Sequence, residues 1–202
     1  MSKPSFIAAV IVSLLCCCVD TFTLPNAHSQ DVGGQENAET RMLASLGSDF
    51  ESASLTVLTL TLEVSEDALK NQKAVMPRLS APIRSLRWRD SEDLFLKFVP
   101  EPAEWVFSWK KNPAGDAVIE MTFDAPPVLP LDCRAAVPAG DGSVTLHAYQ
   151  ASTFGEKLRF EPQWYKNTVG YWAVQKDYAT WKLSFAQPGE YSVAVLQGCG
   201  KG

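Results

Sequence analysis

From Leu58 the chain alternates: Leu58, Leu60, Leu62 and Val64 are interleaved with Thr59, Thr61 and Glu63. A period of two sends apolar side chains to one face and polar ones to the other, which a half-buried strand satisfies and a helix does not. After Pro82, short runs rich in aromatic and β-branched residues recur at Ser85 to Arg89, Leu94 to Val99, Glu104 to Trp109 and Ala117 to Phe123. Each gap carries Pro, Gly, Asn or Asp, as in Asn112-Pro113-Ala114-Gly115-Asp116. Turn residues between β-prone runs predict antiparallel strands. Further strands are expected at Ser143 to Gln150, around Tyr171-Trp172, at Ala179 to Phe185 and at Tyr191 to Leu196, with Pro188-Gly189 as a tight turn between the last two. Helix is expected only in short pieces, such as Asp67 to Val75 ahead of Pro77. The fold class this implies is all-β, beginning with an antiparallel β-sandwich.

The N-terminus has the pattern of an address. Lys3 precedes an apolar run from Phe6 to Val19, and Ala27-His28-Ser29 supplies small residues at a cleavage position. This is the layout of a secretory signal peptide over residues 1–29. The run rises about 21 Å as a helix, short of the roughly 30 Å of a hydrocarbon core, so a membrane span is the poorer reading. A lipoprotein anchor is poorer too, because Leu15 stands before Cys16 where a small residue is wanted. The protein is therefore expected to be secreted or periplasmic, with no membrane attachment after cleavage. Residues 30–53 are expected to form a flexible leader with a helical turn or two, 54–125 a β-sandwich domain, 126–142 a Pro/Gly linker and 143–202 a second β-domain.

Composition limits the chemistry. With 46% hydrophobic and 20% charged residues, the chain of 202 residues can build packed cores. A net charge of -5 gives no positive field to draw in phosphate backbones, so nucleic acid is not an expected partner. Only His28 and His147 are present, and His28 lies in the address, so histidine-based metal or catalytic sites have a single imidazole to work with. Glu92, Asp93, Glu101 and Glu104 fall in turns with no spacing that marks a catalytic pair, and Gly198 to Gly202 lacks the spacing of a phosphate loop. No enzymatic activity, cofactor or metal is expected. Cleavage would remove Cys16, Cys17 and Cys18, leaving Cys133 and Cys199 as either one disulfide or two small buried thiols.

Three strings carry a family resemblance: Val169-Gly170-Tyr171-Trp172, Asp177 to Leu183 with Trp181 inside it, and Pro188-Gly189-Glu190-Tyr191-Ser192-Val193. With Val144 to Gln150 as an opening strand, they resemble the first half of the galactose-binding-like jelly rolls that serve as carbohydrate-binding modules. The ending Leu196-Gln197-Gly198-Cys199-Gly200-Lys201-Gly202 looks like the version attached to secreted bacterial fucosidases and sulfatases. Pro82 to Trp88 with Leu94 to Pro100 is similar, more loosely, to the C-terminal β-sandwich of fucosidases. The resemblance implies a partial jelly roll, incomplete at the C-terminus, that is completed by the preceding domain, by a partner chain, or not at all. It implies a non-catalytic accessory role, binding or docking to a polysaccharide or other glycan. The alternative is a truncated C-terminal fragment of a secreted glycoside hydrolase or sulfatase with only a structural or interaction duty. Tyr149 and Gln150 stand where some of these modules place a calcium-ligating glutamate, so no calcium site carries over.

Sugar faces stack on aromatic rings, yet aromatic rings also dominate cores. Trp164 and Tyr165, in the turn-rich Glu161 to Asn167, have no apolar alternation to hold them inside and read as a sugar platform or as packing between domains. Tyr171 and Trp172 are neighbours, so a strand there would turn one of them outward. Asp177 has the chemistry to accept hydrogen bonds from sugar hydroxyls or from local backbone N–H groups. Trp181 shares parity with Leu183 and Phe185 and is expected to face inward, and His147 is expected at a surface or interface.

Overall fold

A computed structural model describes residues 6–12, 37–91, 93–185 and 190–196. The chain is mostly β, with its strands in several antiparallel sheets and, among the described residues, two short α-helices. In chain order the strands are β1 (Phe6–Val12), β2 (Phe50–Leu55), β3 (Thr59–Val64), β4 (Lys73–Pro77), β5 (Ile83–Trp88) and β6 (Lys97–Pro100). They continue with β7 (Glu104–Ser108), β8 (Val118–Phe123), β9 (Ser152–Phe154), β10 (Arg159–Glu161), β11 (Thr168–Gly170) and β12 (Tyr178–Phe185). Helix α1 covers Ala38–Ala44 and α2 covers Glu66–Asn71. Among the described residues no helix is long and apolar enough to cross a membrane.

The first half holds a four-stranded sheet in the order β2-β3-β8-β5 and a three-stranded sheet in the order β4-β7-β6. Their inward residues form one apolar cluster. Leu60, Leu62 and Val64 from β3 meet Ile119, Met121 and Phe123 from β8, with Ala74 and Met76 from β4 and Trp105 and Phe107 from β7. The alternation seen in the sequence is thus resolved by burial, with Leu60 and Leu62 fully covered and Glu63 exposed. Trp88 stands edge-on to Trp109 with ring centroids 5.1 Å apart, the T-shaped contact that the ring quadrupole favours. Between β3 and β4 in the chain, α2 starts where the Ser65 hydroxyl accepts from the Ala68 N–H and stops where Gln72 turns left-handed at φ 53.

Two segments differ from their sequence-based expectation. Residues 38–53, expected as a flexible leader, supply α1 and the start of β2, and Met42, Leu46 and Phe50 are buried in the main cluster. A lone helix of seven residues is marginal, so it is this burial that holds it. The Pro/Gly stretch 126–142 is likewise tied down. Val128 accepts from the Ser80 N–H, Leu129 enters the main cluster, Asp132 pairs with Arg41, and Ala136 bridges to β12. Prolines keep the stretch out of a regular strand without detaching it.

In the second half β12 is the spine. It pairs with β9 along one edge and, along the other, with β1 over seven register positions from Phe6↔Phe185 to Val12↔Ala179. The apolar run that reads as an address therefore includes a strand of this sheet. Strands β10 and β11 form a separate two-stranded ribbon. Segment 143–150, expected as a strand, instead ends in a 3-10 turn at Ala148–Gln150, and Glu190–Leu196 has no regular structure.

The halves are joined by buried polar contacts. Arg78, following β4, donates to the Ala151 carbonyl at 2.7 Å and to the Thr153 hydroxyl at 3.2 Å, and its guanidinium lies 5.3 Å from the Phe160 ring centre. Burial pushes its pKa down to about 10, with Cys133 nearby opposing the effect.

Candidate functional site

The β10–β11 ribbon carries three exposed aromatic residues. Its connection, residues 162–167, starts at a proline and closes with Asn167 in the left-handed region at φ 38, a conformation asparagine tolerates. Lys166 and Asn167 both donate their backbone N–H groups to the Gln163 carbonyl at 2.8 Å. The loop is also braced against β5. Ile83 donates to the Pro162 carbonyl at 2.7 Å and accepts from the Trp164 N–H at 3.0 Å. On this support Trp164 and Tyr165 stand 65% and 66% exposed, their rings perpendicular at 5.8 Å.

At the other end of the ribbon Tyr171 sits at φ 63 and is also exposed. The Arg159 guanidinium lies over its ring at 3.5 Å and donates to Glu101 at 2.9 Å, so a carboxylate from the first half fixes the cation on the aromatic face. Between these ends Glu161 pairs with Lys166. Gly170 makes room for it: a Cβ there would lie 2.4 Å from the Glu161 carboxylate oxygen Oε2. The hydrogen bond to Glu161 raises the Lys166 pKa above the ordinary lysine value; desolvation opposes this, and the negative charge of Glu161 adds to it. Aromatic faces and fixed charges thus alternate along one ribbon.

Beyond Glu101 lies an open groove of about 680 Å³ on the outward face of the β4-β7-β6 sheet, lined by residues including Lys73, Lys97, Glu101, Glu104 and Val106. The ion pair between Arg159 and Glu101 links this groove to the ribbon.

Of the residues the sequence singled out, the structure brings Trp164, Tyr165 and Tyr171 onto one exposed ribbon and places Trp172 and Asp177 elsewhere. Trp172 is half-buried against the small cluster of Ala151, Leu158 and Ala179, with its indole N–H donated to the Val169 carbonyl at 2.8 Å. Asp177 is buried and accepts from three backbone N–H groups, those of Glu156 at 2.8 Å, Lys157 at 3.0 Å and Leu158 at 2.9 Å. Its carboxylate holds the 155–158 turn rather than facing solvent. Burial alone would lift its pKa, but the three donors outweigh that and hold it below the ordinary aspartate value. Trp181 packs against both small clusters and donates to the His147 carbonyl, while the His147 ring is exposed and stacked on Tyr149. Cys133 is buried; Cys199 lies outside the described residues.

Arg159 and Glu101 had no signature in the sequence, because their meeting joins residues 58 positions apart. A second exposed aromatic pair, Phe154 stacked on Tyr178 at 4.9 Å, is a cross-strand neighbour pair of β9 and β12 that only the register reveals. Among the described residues no group of three or more His, Cys, Asp or Glu side chains is placed to hold a metal ion. No family model matches the chain, and neither a curated protein nor a solved structure does.

Proposed function

We propose that the protein is an exported, non-catalytic accessory protein that binds a glycan through Trp164, Tyr165 and Tyr171. The observation that carries the reading is the pair Trp164 and Tyr165, about two-thirds exposed on a loop held by four backbone hydrogen bonds, two of them to Ile83 of β5. Adjacent rings kept in water on a braced support and rimmed by charged residues resemble a contact surface more than surplus core, since contiguous exposed apolar patches with polar rims mark interaction sites. Pyranose C–H faces suit such rings, and the flanking Glu161, Lys166, Arg159 and Glu101 supply donors and acceptors for hydroxyls. The groove beyond Glu101 gives an extended chain somewhere to continue. Within this proposal the first half is a β-sandwich, residues 143–202 are a partial galactose-binding-like jelly roll, and Trp172 and Asp177 shape the module from inside.

Affinity electrophoresis of the wild type, Trp164→Ala and Tyr165→Ala through gels containing a panel of polysaccharides tests it. At least one polysaccharide should retard the wild type and fail to retard either variant. Both substitutions should leave stability within about 0.5 kcal/mol, as expected at exposed positions. Unretarded wild type across the panel, or retardation that both variants retain, overturns the proposal.

A further inference from the structure

One edge of β12 is taken by β1 along the whole length of β1. On the opposite edge, the Ser184 N–H donates to the Ala136 carbonyl and the Lys182 carbonyl accepts from the Ala136 N–H. Alternate residues of a strand point their backbone groups to opposite edges, so those of Ala179, Trp181, Leu183 and Phe185 are directed toward β1. Those same residues carry the inward side chains of β12, with Ala179, Leu183 and Phe185 buried.

Glu190–Leu196 follows β12 by a few residues and has no regular secondary structure, with Val193 and Val195 about half exposed and Leu196 fully so. It already touches the end of β12: the Tyr191 and Phe185 rings are 4.3 Å apart. If Phe185 and Tyr191 are taken as opposite partners, the connection is five residues, Ala186 to Glu190, a common length for a β-turn connection and one that contains Pro188-Gly189. In that register Leu183 falls opposite Val193 and Trp181 opposite Val195, apolar against apolar on the inward face. The other parity sets Ser184 and Lys182 opposite Ser192 and Ala194. A hairpin in this register would use the same backbone groups of Trp181, Leu183 and Phe185 that β1 uses.

We propose that β1 and Glu190–Leu196 compete for this one edge: β1 holds it in the full-length chain, and Glu190–Leu196 folds back onto it when β1 leaves. Removal of residues 1–29, which include β1, during export is the natural trigger, and only that clause rests on the export reading. The device solves a physical problem, because an apolar strand left without a neighbour is an open template for aggregation.

Hydrogen exchange on three variants of the full-length chain tests the competition. Ala8 and Val193 are both register partners of Leu183, one observed and one inferred, so a proline at either removes a donor that its strand needs at the same point. Ala8→Pro and Val193→Pro alone should each leave the Trp181, Leu183 and Phe185 amides within about threefold of wild-type exchange, since the other segment takes the edge. The double variant should accelerate them at least tenfold. Unchanged amides in β3 and β8 show that the rest of the protein is folded. Ala8→Pro alone exchanging as fast as the double variant means that Glu190–Leu196 does not take over, and a double variant that stays protected means that something else covers the edge; either result overturns the proposal.

Discussion

Trp105 offers a sharp test of how the main core is held. It is fully buried at the centre of the β4-β7-β6 sheet, opposite Met76 and Pro100 in the register. Its ring is edge-on to Phe98 at 5.6 Å and stacked with Phe123 at 6.5 Å. Its indole N–H, however, meets no acceptor among the described residues. Truncation to alanine removes the ring and leaves a cavity, which in cores costs about 3–5 kcal/mol. The lower end applies here, about 3 kcal/mol, because the unmet N–H, a burden of about 1–3 kcal/mol, leaves with the ring. Phenylalanine keeps a ring against Phe98 and Phe123 and loses about three carbon-sized atoms, about 2.4 kcal/mol at ~0.8 kcal/mol each. Loss of the unmet donor offsets most of that, so Trp105→Phe should change stability by about 1 kcal/mol or less. Urea unfolding followed by far-ultraviolet circular dichroism reads both. With a slope of about 2 kcal/mol per molar, alanine should lower the midpoint by about 1.5 M and phenylalanine by about 0.5 M or less. A phenylalanine midpoint lowered by about 1.2 M or more, the full cost of the lost atoms with no offset, would show that the N–H is satisfied, and the reasoning would fall.

Two further predictions concern the 155–158 turn. Because the folded Asp177 pKa lies below its ordinary value, its contribution is complete above the unfolded carboxylate value of about 4 and is lost as pH falls through the lower folded value. The stability gap between wild type and Asp177→Asn should therefore narrow between pH 5 and pH 2, and a gap that is constant with pH would contradict the assignment. Gly155→Ala should destabilise by at least about 2 kcal/mol, since φ at Gly155 is +114 and a Cβ there would lie 2.0 Å from Asp177 Oδ1 and 2.9 Å from its Cα. Loss of amide protection at Glu156, Lys157 and Leu158 would be the local signature.

What the sequence revealed follows the range over which each feature is determined. The alternation from Leu58 to Val64 became β3, and the aromatic runs at 104–109 and 117–123 became β7 and β8, because burial of one face settles a strand wherever the pattern is period two. The helical turns after Asn37 were visible, but their place in the core was not, since Met42 gains its burial from strands far along the chain. Leu94 to Val99 gave only the short β6, and Tyr191 to Leu196, where Tyr191, Val193 and Val195 share one parity, gave no strand. An alternating segment becomes a strand only if an edge is open to it, and β1 holds the edge beside β12. At the candidate site, the absence of apolar alternation around Trp164 and Tyr165 left a platform and packing between domains both open, and the exposure of the rings is a feature of the folded loop. Trp172 and Asp177 had the right chemistry, and their orientation was set by the small cluster and by the 155–158 backbone, neither of which a linear pattern displays.

The exposed ribbon is not a self-contained element. A two-stranded ribbon is marginal in water by itself, and β10–β11 has only three register pairs. Its loop leans on Ile83 from the first half, its Arg159 is oriented by Glu101 from the first half, and Phe160 beneath it lies under Arg78, again from the first half. Arg78 is a costly anchor, a buried cation held by a carbonyl and a hydroxyl, yet it reaches Ala151, Thr153 and Phe160 at once in a way that an aliphatic side chain of the same length would not. The aromatic surface therefore inherits its rigidity from the larger core. Under the proposed role, that rigidity would let a flat ring meet a sugar face without first losing side-chain and loop entropy, so the first half would serve binding through support as well as through Glu101 and its groove.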